Sequence, residues 1–133
     1  MAAIVKSYCI AILFLGLVTN GKELILWFCD CSFNDIGVGQ VRSERLIQGK
    51  PEWNVTVTNN CSCFQVLITL ACKGFQSVEY VEPSILFKQG DICMLNKGHR
   101  LDGHASIAFS YAWDPPFLLM PVNSTVICTV SGE

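Results

Sequence analysis

Residues 53–72 read WNVTVTNNCSCFQVLITLAC and contain the two patterns that decide the fold. In the first half, Trp53, Val55 and Val57 alternate with polar residues, which is typical of a strand with one buried face. In the second half, both sets of alternating positions are mostly apolar, which is typical of a central strand covered on both sides. Two asparagines between the runs indicate a turn. We therefore expect this stretch to form a hairpin in the core.

Further short runs with a two-residue period lie on both sides of this stretch. The clearest is residues 105–112, where Ile107, Phe109 and Tyr111 alternate with small residues. Turn signals separate the runs, and helical periodicity is absent after residue 21. The sequence predicts an all-β fold, a small disulfide-bridged β-sandwich of about seven to nine short strands. The other expected strands lie within residues 32–41, 78–80, 85–87, 92–95, 117–120 and 125–130, with a loop at 42–51.

The first 21 residues have the composition of a secretory signal peptide. Lys6 gives a basic start, and residues 8–18 form an apolar run of eleven, followed by small residues suited to cleavage. The run is shorter than the roughly 20 residues that a membrane-spanning helix needs, so we predict no stable membrane span. We expect cleavage after Gly21. Residues 22–133 would then form one cysteine-rich domain of 112 residues (133 minus 21).

The chain has eight cysteines, a density typical of a disulfide framework in an oxidising compartment. Cys9 lies in the predicted signal, so seven remain, and six of them form three bridges whose pairing the spacing leaves open. Cys29 is the expected odd cysteine, free or capped, and a homodimer bridged through it is the less favoured alternative. The six expected disulfide cysteines are Cys31, Cys61, Cys63, Cys72, Cys93 and Cys128.

Three N-glycosylation sequences also favour secretion. They are Asn54-Val-Thr56, Asn60-Cys-Ser62 and Asn123-Ser-Thr125. We expect exposure of Asn54, on the polar face of its strand, and of Asn123, in a turn after a proline. Asn60 is the weaker candidate because a cysteine follows it.

Charge and motif content argue against several classes of function. Without Lys6 the chain has 8 Lys and Arg (9 minus 1) and 11 Asp and Glu, a net charge of −3 with no basic stripe, which disfavours a nucleic-acid partner. His99 and His104 lie near Asp102 and Ser106, but no nucleophile motif accompanies them. We predict that the protein is not an enzyme and has no catalytic residues.

A zinc site would have to combine Cys61 and Cys63 with the two histidines. One residue between two cysteines is a shorter spacing than zinc-binding modules use, and secretion favours oxidised cysteines. We predict no metal site and no cofactor.

A series of short motifs spans residues 31–128. They are CSFNDI (31–36), GKPEWNV (49–55), LAC (70–72), DIC (91–93), LNKG (95–98) and IAFSYA (107–112), with a last cysteine at 128. Together with the six cysteines, these motifs resemble the plant tapetum determinant family of small secreted cysteine-rich proteins. The tight spacing between Cys61 and Cys63 and the additional Cys29 mark a divergent member.

The resemblance implies a secreted protein of the plant extracellular space (apoplast). It would act as a ligand for the ectodomain of a leucine-rich-repeat receptor kinase, in cell-fate specification during anther and reproductive development. Because strands provide the scaffold, we expect the contact residues in loops, at 96–104 and 113–120. The candidate receptor-binding residues are Asn96, His99, Arg100, Trp113 and Phe117.

The alternative is a carbohydrate-binding (cellulose-binding) β-sandwich module of the cell wall. Aromatic side chains near the SYAWD segment would stack on sugar rings. Trp53 and Tyr111 fall on core faces of their strands, so Trp113 is the one tryptophan of this set expected at the surface. For residues 117–120, a buried strand is slightly favoured over an apolar anchor at an interface.

Overall fold

The computed structural model describes the backbone of residues 9–19, 22–29 and 31–128, and side chains from residue 31 to residue 128. Strands β1 (Cys9–Thr19) and β2 (Lys22–Cys29) pair with each other in antiparallel fashion. The expected cleavage point after Gly21 lies outside the described residues, so the signal peptide remains a prediction.

Residues 31–128 form seven strands in two antiparallel sheets. The three-stranded sheet has the order β3-β4-β8, and the four-stranded sheet has the order β6-β7-β5-β9. The all-β, disulfide-bridged fold predicted from the sequence is confirmed. The strands are β3 (Ile36–Ile47), β4 (Lys50–Asn59), β5 (Phe64–Ala71), β6 (Leu86–Gln89), β7 (Ile92–Leu95), β8 (Ser106–Ala112) and β9 (Met120–Ile127).

The stretch 53–72 supplies the middle strand of one sheet and an inner strand of the other, and it is not a hairpin. β4 lies between β3 and β8, whereas β5 lies between β7 and β9, so residues 60–63 cross from one sheet to the other. The expected hairpin is wrong because alternation shows which face of a strand is buried but not which strand is its neighbour. The two strands meet through side chains: Val55, Val57, Ile68 and Leu70 lie in one core cluster.

A hairpin lies instead at residues 42–51, where we expected a loop, and β6 and β7 form another. β3 continues to Ile47 and β4 begins at Lys50, with Gln48 and Gly49 between them at φ 51° and 81°. Two positive φ angles in a two-residue connection match the twist of antiparallel strands. Polar composition concealed this part of β3 because its side chains are largely exposed.

Two expected strands are absent from the described part of the chain, at residues 78–80 and 117–119. In both places, backbone N–H and C=O groups form hydrogen bonds with loop residues or side chains and not with a neighbouring strand. The N–H of Val78 donates to the carbonyl of Ala112, and Ser77 Oγ accepts from Ala112 N–H. The backbone of Phe117 is hydrogen-bonded to the side chains of Tyr111 and Gln40. Leu118, the next residue, is 77% exposed.

The three disulfides pair Cys31 with Cys61, Cys63 with Cys128, and Cys72 with Cys93. All six cysteines of residues 31–128 are therefore bridged, as expected. The first two bridges flank the crossing between the sheets, and the third links the end of β5 to β7. The side chain of Cys29 lies outside the described residues, so its state remains a prediction.

In the part of the chain that the structure describes, no helix is long and apolar enough to cross a membrane.

We predict that replacing both Cys72 and Cys93 by alanine destabilises the domain by about 3 kcal/mol, the value expected for a loop of this length. The bridge closes a loop with a sequence separation of 21, and both residues are fully buried. The measurement is the urea-unfolding midpoint of secreted protein, together with its yield. An unchanged midpoint and yield would contradict the role of this bridge in stability.

Candidate functional site

The outer face of the four-stranded sheet is apolar and open to solvent. In β5, Ile68 and Leu70 point into the core, so Thr69 and Ala71 point outward. Residues paired across strands share a face. Met94 pairs with Thr69, and Ile92 pairs with Ala71, which extends this surface across β7.

The same ladder continues to both edges of the sheet. Phe87 of β6 pairs with Met94, and Met120 of β9 pairs with Ala71. We call this surface the apolar face and define it by Leu67, Phe87, Ile92, Met94 and Met120. Leu67, Phe87, Ile92 and Met120 are between 43% and 52% exposed. Lys88 is the one charged residue in these four strands.

The sequence predicted that both faces of β5 are buried. Thr69 on the outer face is indeed buried, at 9% exposure, whereas Leu67 is 52% exposed, so the outer face is covered only in part. Leu67 reaches the surface through a β-bulge, with φ at 54°. A β-bulge with leucine at positive φ has no sequence signal, since leucine rarely adopts that conformation.

The predicted loop 96–104 borders the apolar face. It begins with a 3-10 helix, Asn96–Gly98, and then continues beside β5, where Leu101 and Gln65 exchange both backbone hydrogen bonds. A side chain at Gly98 would lie 2.9 Å from Leu67 Cδ2, so glycine allows this close approach. Of the candidate residues, Asn96 Nδ2 donates to the Arg100 carbonyl at 3.4 Å.

Arg100 and His99 are the exposed candidates of this loop. The Arg100 guanidinium lies 3.7 Å from the centre of the Phe64 ring, and its Nε donates to Asp102 at 2.8 Å. Phe64 pairs with Ile127, which is on the outer side of the same sheet. Arg100 therefore places a cation at one end of the apolar face.

In the second predicted segment, 113–120, the residues exposed at the surface are not the ones that we expected. Trp113 is half-buried: Lys50 Nζ lies 4.8 Å from its ring, and Trp53 Nε1 donates to its carbonyl at 3.1 Å. Phe117 is also half-buried and packs against the core cluster. The exposed apolar residues of this segment are Leu118 and Met120. Sequence reasoning gave no reason to choose these two over their neighbours, because all four residues from 117 to 120 are apolar.

The two predicted segments do not form one site. They lie at opposite ends of β8, whose seven residues span about 23 Å at 3.3 Å per residue. The apolar face runs between the two ends, because Phe64 pairs with Ile127 at one end and Ala71 with Met120 at the other. The structure thus connects the segments through a surface that sequence analysis had assigned to the interior.

The candidate catalytic and zinc-binding groups are used in other contacts. Cys61 and Cys63 belong to two disulfides, which explains why the sulfurs of Cys31, Cys61 and Cys63 lie within 4.8 Å of one another. Ser106 Oγ is hydrogen-bonded to Thr58 Oγ1 at 2.7 Å, and Asp102 is paired with Arg100. The cysteine sulfurs are therefore oxidised, and the Ser106 hydroxyl and the Asp102 carboxylate each have a side-chain partner other than a histidine.

The aromatic residues that suggested carbohydrate binding do not form a row. Tyr111 is fully buried, Trp53 packs against the core, and Trp113 lies beneath Lys50. Tyr80 and Phe87 are exposed aromatic residues, but Tyr80 lies in an irregular loop and Phe87 in β6. Within residues 31–128, the flat aromatic platform that this alternative needs is missing.

Tyr111 fixes the segment that leads to Leu118. Its hydroxyl donates to Gln40 Oε1 at 2.6 Å and accepts from the N–H of Phe117 at 2.9 Å, while Gln40 Nε2 donates to the Phe117 carbonyl at 2.6 Å. Its ring packs against Phe75 and Phe117 at centroid distances of 5.2 and 5.9 Å. Burial raises the pKa of the Tyr111 hydroxyl, while the hydrogen bond with Phe117 opposes the rise.

We predict that Tyr111→Phe lowers the free energy of unfolding by about 1–3 kcal/mol, because it leaves the Phe117 N–H and Gln40 Oε1 without their hydrogen-bond partner. Hydrogen exchange at the Phe117 amide should become faster. Tyr80→Phe is the matched control, since Tyr80 is 76% exposed. Equal exchange rates in both variants would contradict the role of this hydroxyl.

Two carboxyl groups meet beside the end of β8. Glu52 is buried and accepts from Ser43 Oγ at 2.6 Å, with Arg45 Nε at 3.5 Å. Hydrogen bonds from Ser43 and Glu79 lower the pKa of Glu52. Burial, and then the nearby Glu52, raise the pKa of Glu79, whose Oε1 is buried. The two carboxyl groups are therefore shifted in opposite directions, the pKa of Glu52 downward and the pKa of Glu79 upward.

The two shifts act on stability in opposite pH ranges. Glu79 has a raised pKa in the folded protein, so its stabilising contribution is full below its unfolded pKa of about 4.3 and is lost as pH rises through the folded pKa. Glu52 has a lowered pKa, so its contribution is present above about pH 4.3 and is lost as pH falls through the folded pKa.

We predict that Glu79→Gln gains stability relative to the wild type as pH rises from about 4 to 7, because glutamine keeps a donor for Glu52 without a charge. The measurement is urea unfolding of both proteins at several pH values. Glu82→Gln, at an exposed position, is the control. Parallel pH profiles of the wild type and Glu79→Gln would show that the pair does not share a proton.

Comparison with known proteins identifies the family. A family model described as "Tapetum determinant 1, C-terminal" matches residues 32–129. The Arabidopsis thaliana protein named "TPD1 protein homolog 1" is 34% identical over 86 residues, which are 62% of this chain and 48% of the relative. The Oryza sativa subsp. japonica protein named "TPD1 protein homolog 1B" is 31% identical over 84 residues, 62% of this chain and 50% of the relative.

The chain spans about half the length of the curated relatives that it matches. No solved structure matches it. The matched range contains both sheets and five of the six bridged cysteines. Because the family model covers most of the chain, this protein is a member of the tapetum determinant family.

Proposed function

We propose that this protein is a secreted extracellular ligand for the ectodomain of a leucine-rich-repeat receptor kinase, acting in cell-fate specification during anther and reproductive development. Membership of the tapetum determinant family is the observation that carries the proposal. The three disulfides support secretion, because such bridges persist in oxidising compartments.

The apolar face is the contact surface in this proposal. Its strands β5 and β7 are almost entirely apolar, as in a sheet that is buried on both sides, yet Leu67, Phe87, Ile92 and Met120 are between 43% and 52% exposed. Large exposed apolar surfaces on small domains mark sites of protein association. Leu118 and Arg100 stand at opposite ends of it, an apolar and a cationic side chain of the kinds found at interfaces.

Rigidity favours this mode of binding. The bridged cysteines hold both sheets, and the Tyr111 hydroxyl and Gln40 hold the loop before Leu118. A surface that is ordered before association loses less conformational entropy when it binds. The protein acts by binding, without catalysis, and its partner presents a largely apolar surface to the apolar face.

The test is direct binding of the purified secreted protein to a panel of leucine-rich-repeat receptor kinase ectodomains, with cellulose as comparator. We expect saturable binding to one ectodomain that is lost when the disulfides are reduced. Binding to none of the ectodomains would contradict the proposal. Binding to cellulose alone would favour the carbohydrate-binding alternative.

Two charge substitutions locate the contact surface. Phe87→Asp and Ile92→Asp should each weaken binding at least about tenfold, because they place an uncompensated charge in an apolar contact. Val41→Asp is the matched control: Val41 is 68% exposed and lies in β3 of the other sheet. Weakening by Val41→Asp alone would place the contact on the three-stranded sheet.

A further inference from the structure

The three glycosylation sequences occupy different environments in the fold. In N-glycosylation, a lipid-linked oligosaccharide diphosphate donates its glycan to the asparagine side chain. The bond between the first sugar's C1 and Nδ2 forms, the bond between C1 and the diphosphate oxygen breaks, and Nδ2 loses one proton. An occupied asparagine must therefore have open space around Nδ2 in the folded protein.

Asn60 does not offer that space. Its Nδ2 lies only 3.0 Å from where a side chain at Gly37 would begin, so the amide nitrogen rests on the backbone of β3. Its own N–H donates to the Asp35 carbonyl, and the next residue, Cys61, is bridged to Cys31. A sugar on Nδ2 would therefore be crowded by the backbone at Gly37.

Asn54 and Asn123 present the opposite situation. Both are exposed, and in each side chain the oxygen is the hydrogen-bonded atom: Asn54 Oδ1 accepts from Ser110 Oγ at 2.7 Å, and Asn123 Oδ1 accepts from Ser124 N–H at 2.9 Å. These hydrogen bonds do not involve Nδ2, the atom to which the sugar would be attached. Thr56 and Thr125, the third residues of the two sequences, are exposed as well.

Asn123 lies in an edge strand that is only partly protected. β9 is the outer strand of its sheet and pairs only with β5 among the described residues. Unpaired edges are usually guarded by charged residues, short length or a covering segment. The other three edge strands have such protection. β3 carries the charged residues Arg42 and Arg45, β6 is only four residues long and contains Lys88, and Ser77 covers the end of β8.

β9 has eight residues with no charge, and Val122 and Ile127 are exposed. Pro121 and a register shift near Val122 protect its beginning, and the 3-10 helix Phe33–Asp35 and β3 pack beside part of the strand without forming a ladder with it. A strand of this kind invites pairing with a second chain. A bulky hydrated glycan in the middle of the strand would prevent such pairing by steric exclusion.

We propose that Asn54 and Asn123 carry N-linked glycans, that Asn60 stays unmodified, and that the Asn123 glycan keeps the β9 edge from pairing with a second copy of this chain. The proposal rests on the secretion that the proposed function includes. It leaves the β6–β7 side of the apolar face and Arg100 open to a partner, because Asn123 lies on the far edge of the sheet.

The first measurement is the intact mass of full-length protein secreted by a eukaryotic cell line. Asn54→Gln and Asn123→Gln should each remove one glycan, and Asn60→Gln should remove none. Thr125→Ala should match Asn123→Gln, whereas Thr125→Ser should keep the glycan because serine preserves the sequence. An unchanged mass for Asn123→Gln, or a lower glycan mass for Asn60→Gln, would overturn the assignment.

The second measurement is the molar mass in solution by light scattering over a range of concentrations. The wild type and Asn54→Gln should remain monomers, whereas Asn123→Gln and Thr125→Ala should shift to dimers. Adding Val122→Lys to Asn123→Gln should restore the monomer, since a charged side chain on an edge strand disfavours pairing with a second strand. A monomeric Asn123→Gln at all concentrations, or a dimer that Val122→Lys leaves intact, would overturn the role of the glycan.

Neither measurement uses a receptor, so the two proposals fail separately. Secreted protein without glycans would overturn the present proposal and leave the ligand function standing. Protein that stays inside the cell without glycans would contradict secretion itself, and this proposal with it.

Discussion

The structure depends on how the chain is held where it crosses between the sheets. Asn59 is fully buried there: its Nδ2 donates to the carbonyls of Cys63 and Leu101, and its Oδ1 accepts from Cys61 N–H and Gln65 Nε2. Each of these groups left unpaired in the interior would cost about 1–3 kcal/mol. The disulfides on either side of the crossing add a covalent constraint.

That crossing explains why an apolar strand such as β5 has a partly open face. It carries β5 away from β4 and into a sheet whose inner side meets the core and whose outer side meets solvent. The apolar face is thus a consequence of topology. Gly98 and Leu67 then bring the loop with Arg100 to the border of this face, so a charged loop and an apolar sheet form one continuous surface.

The two faces of the domain differ in what they can accept. The outer side of the three-stranded sheet carries small polar residues, including Asn54 and Ser110, and suits a glycan. The outer side of the four-stranded sheet carries exposed Leu67, Phe87 and Ile92, and suits a protein partner. The four-stranded sheet therefore combines an apolar surface at β6 and β7 with the glycan proposed at Asn123 on its β9 edge, and the three-stranded sheet carries the glycan proposed at Asn54.

The sequence by itself determined the fold class, the six bridged cysteines and the family, because alternation, cysteine density and motif order are local properties of the chain. Tertiary structure alone decided the disulfide pairing and the sheet to which each strand belongs. These depend on contacts between distant residues, such as Gln65 with Leu101. The bulge at Leu67 and the burial of Trp113 and Phe117 likewise follow from packing, which periodicity does not encode.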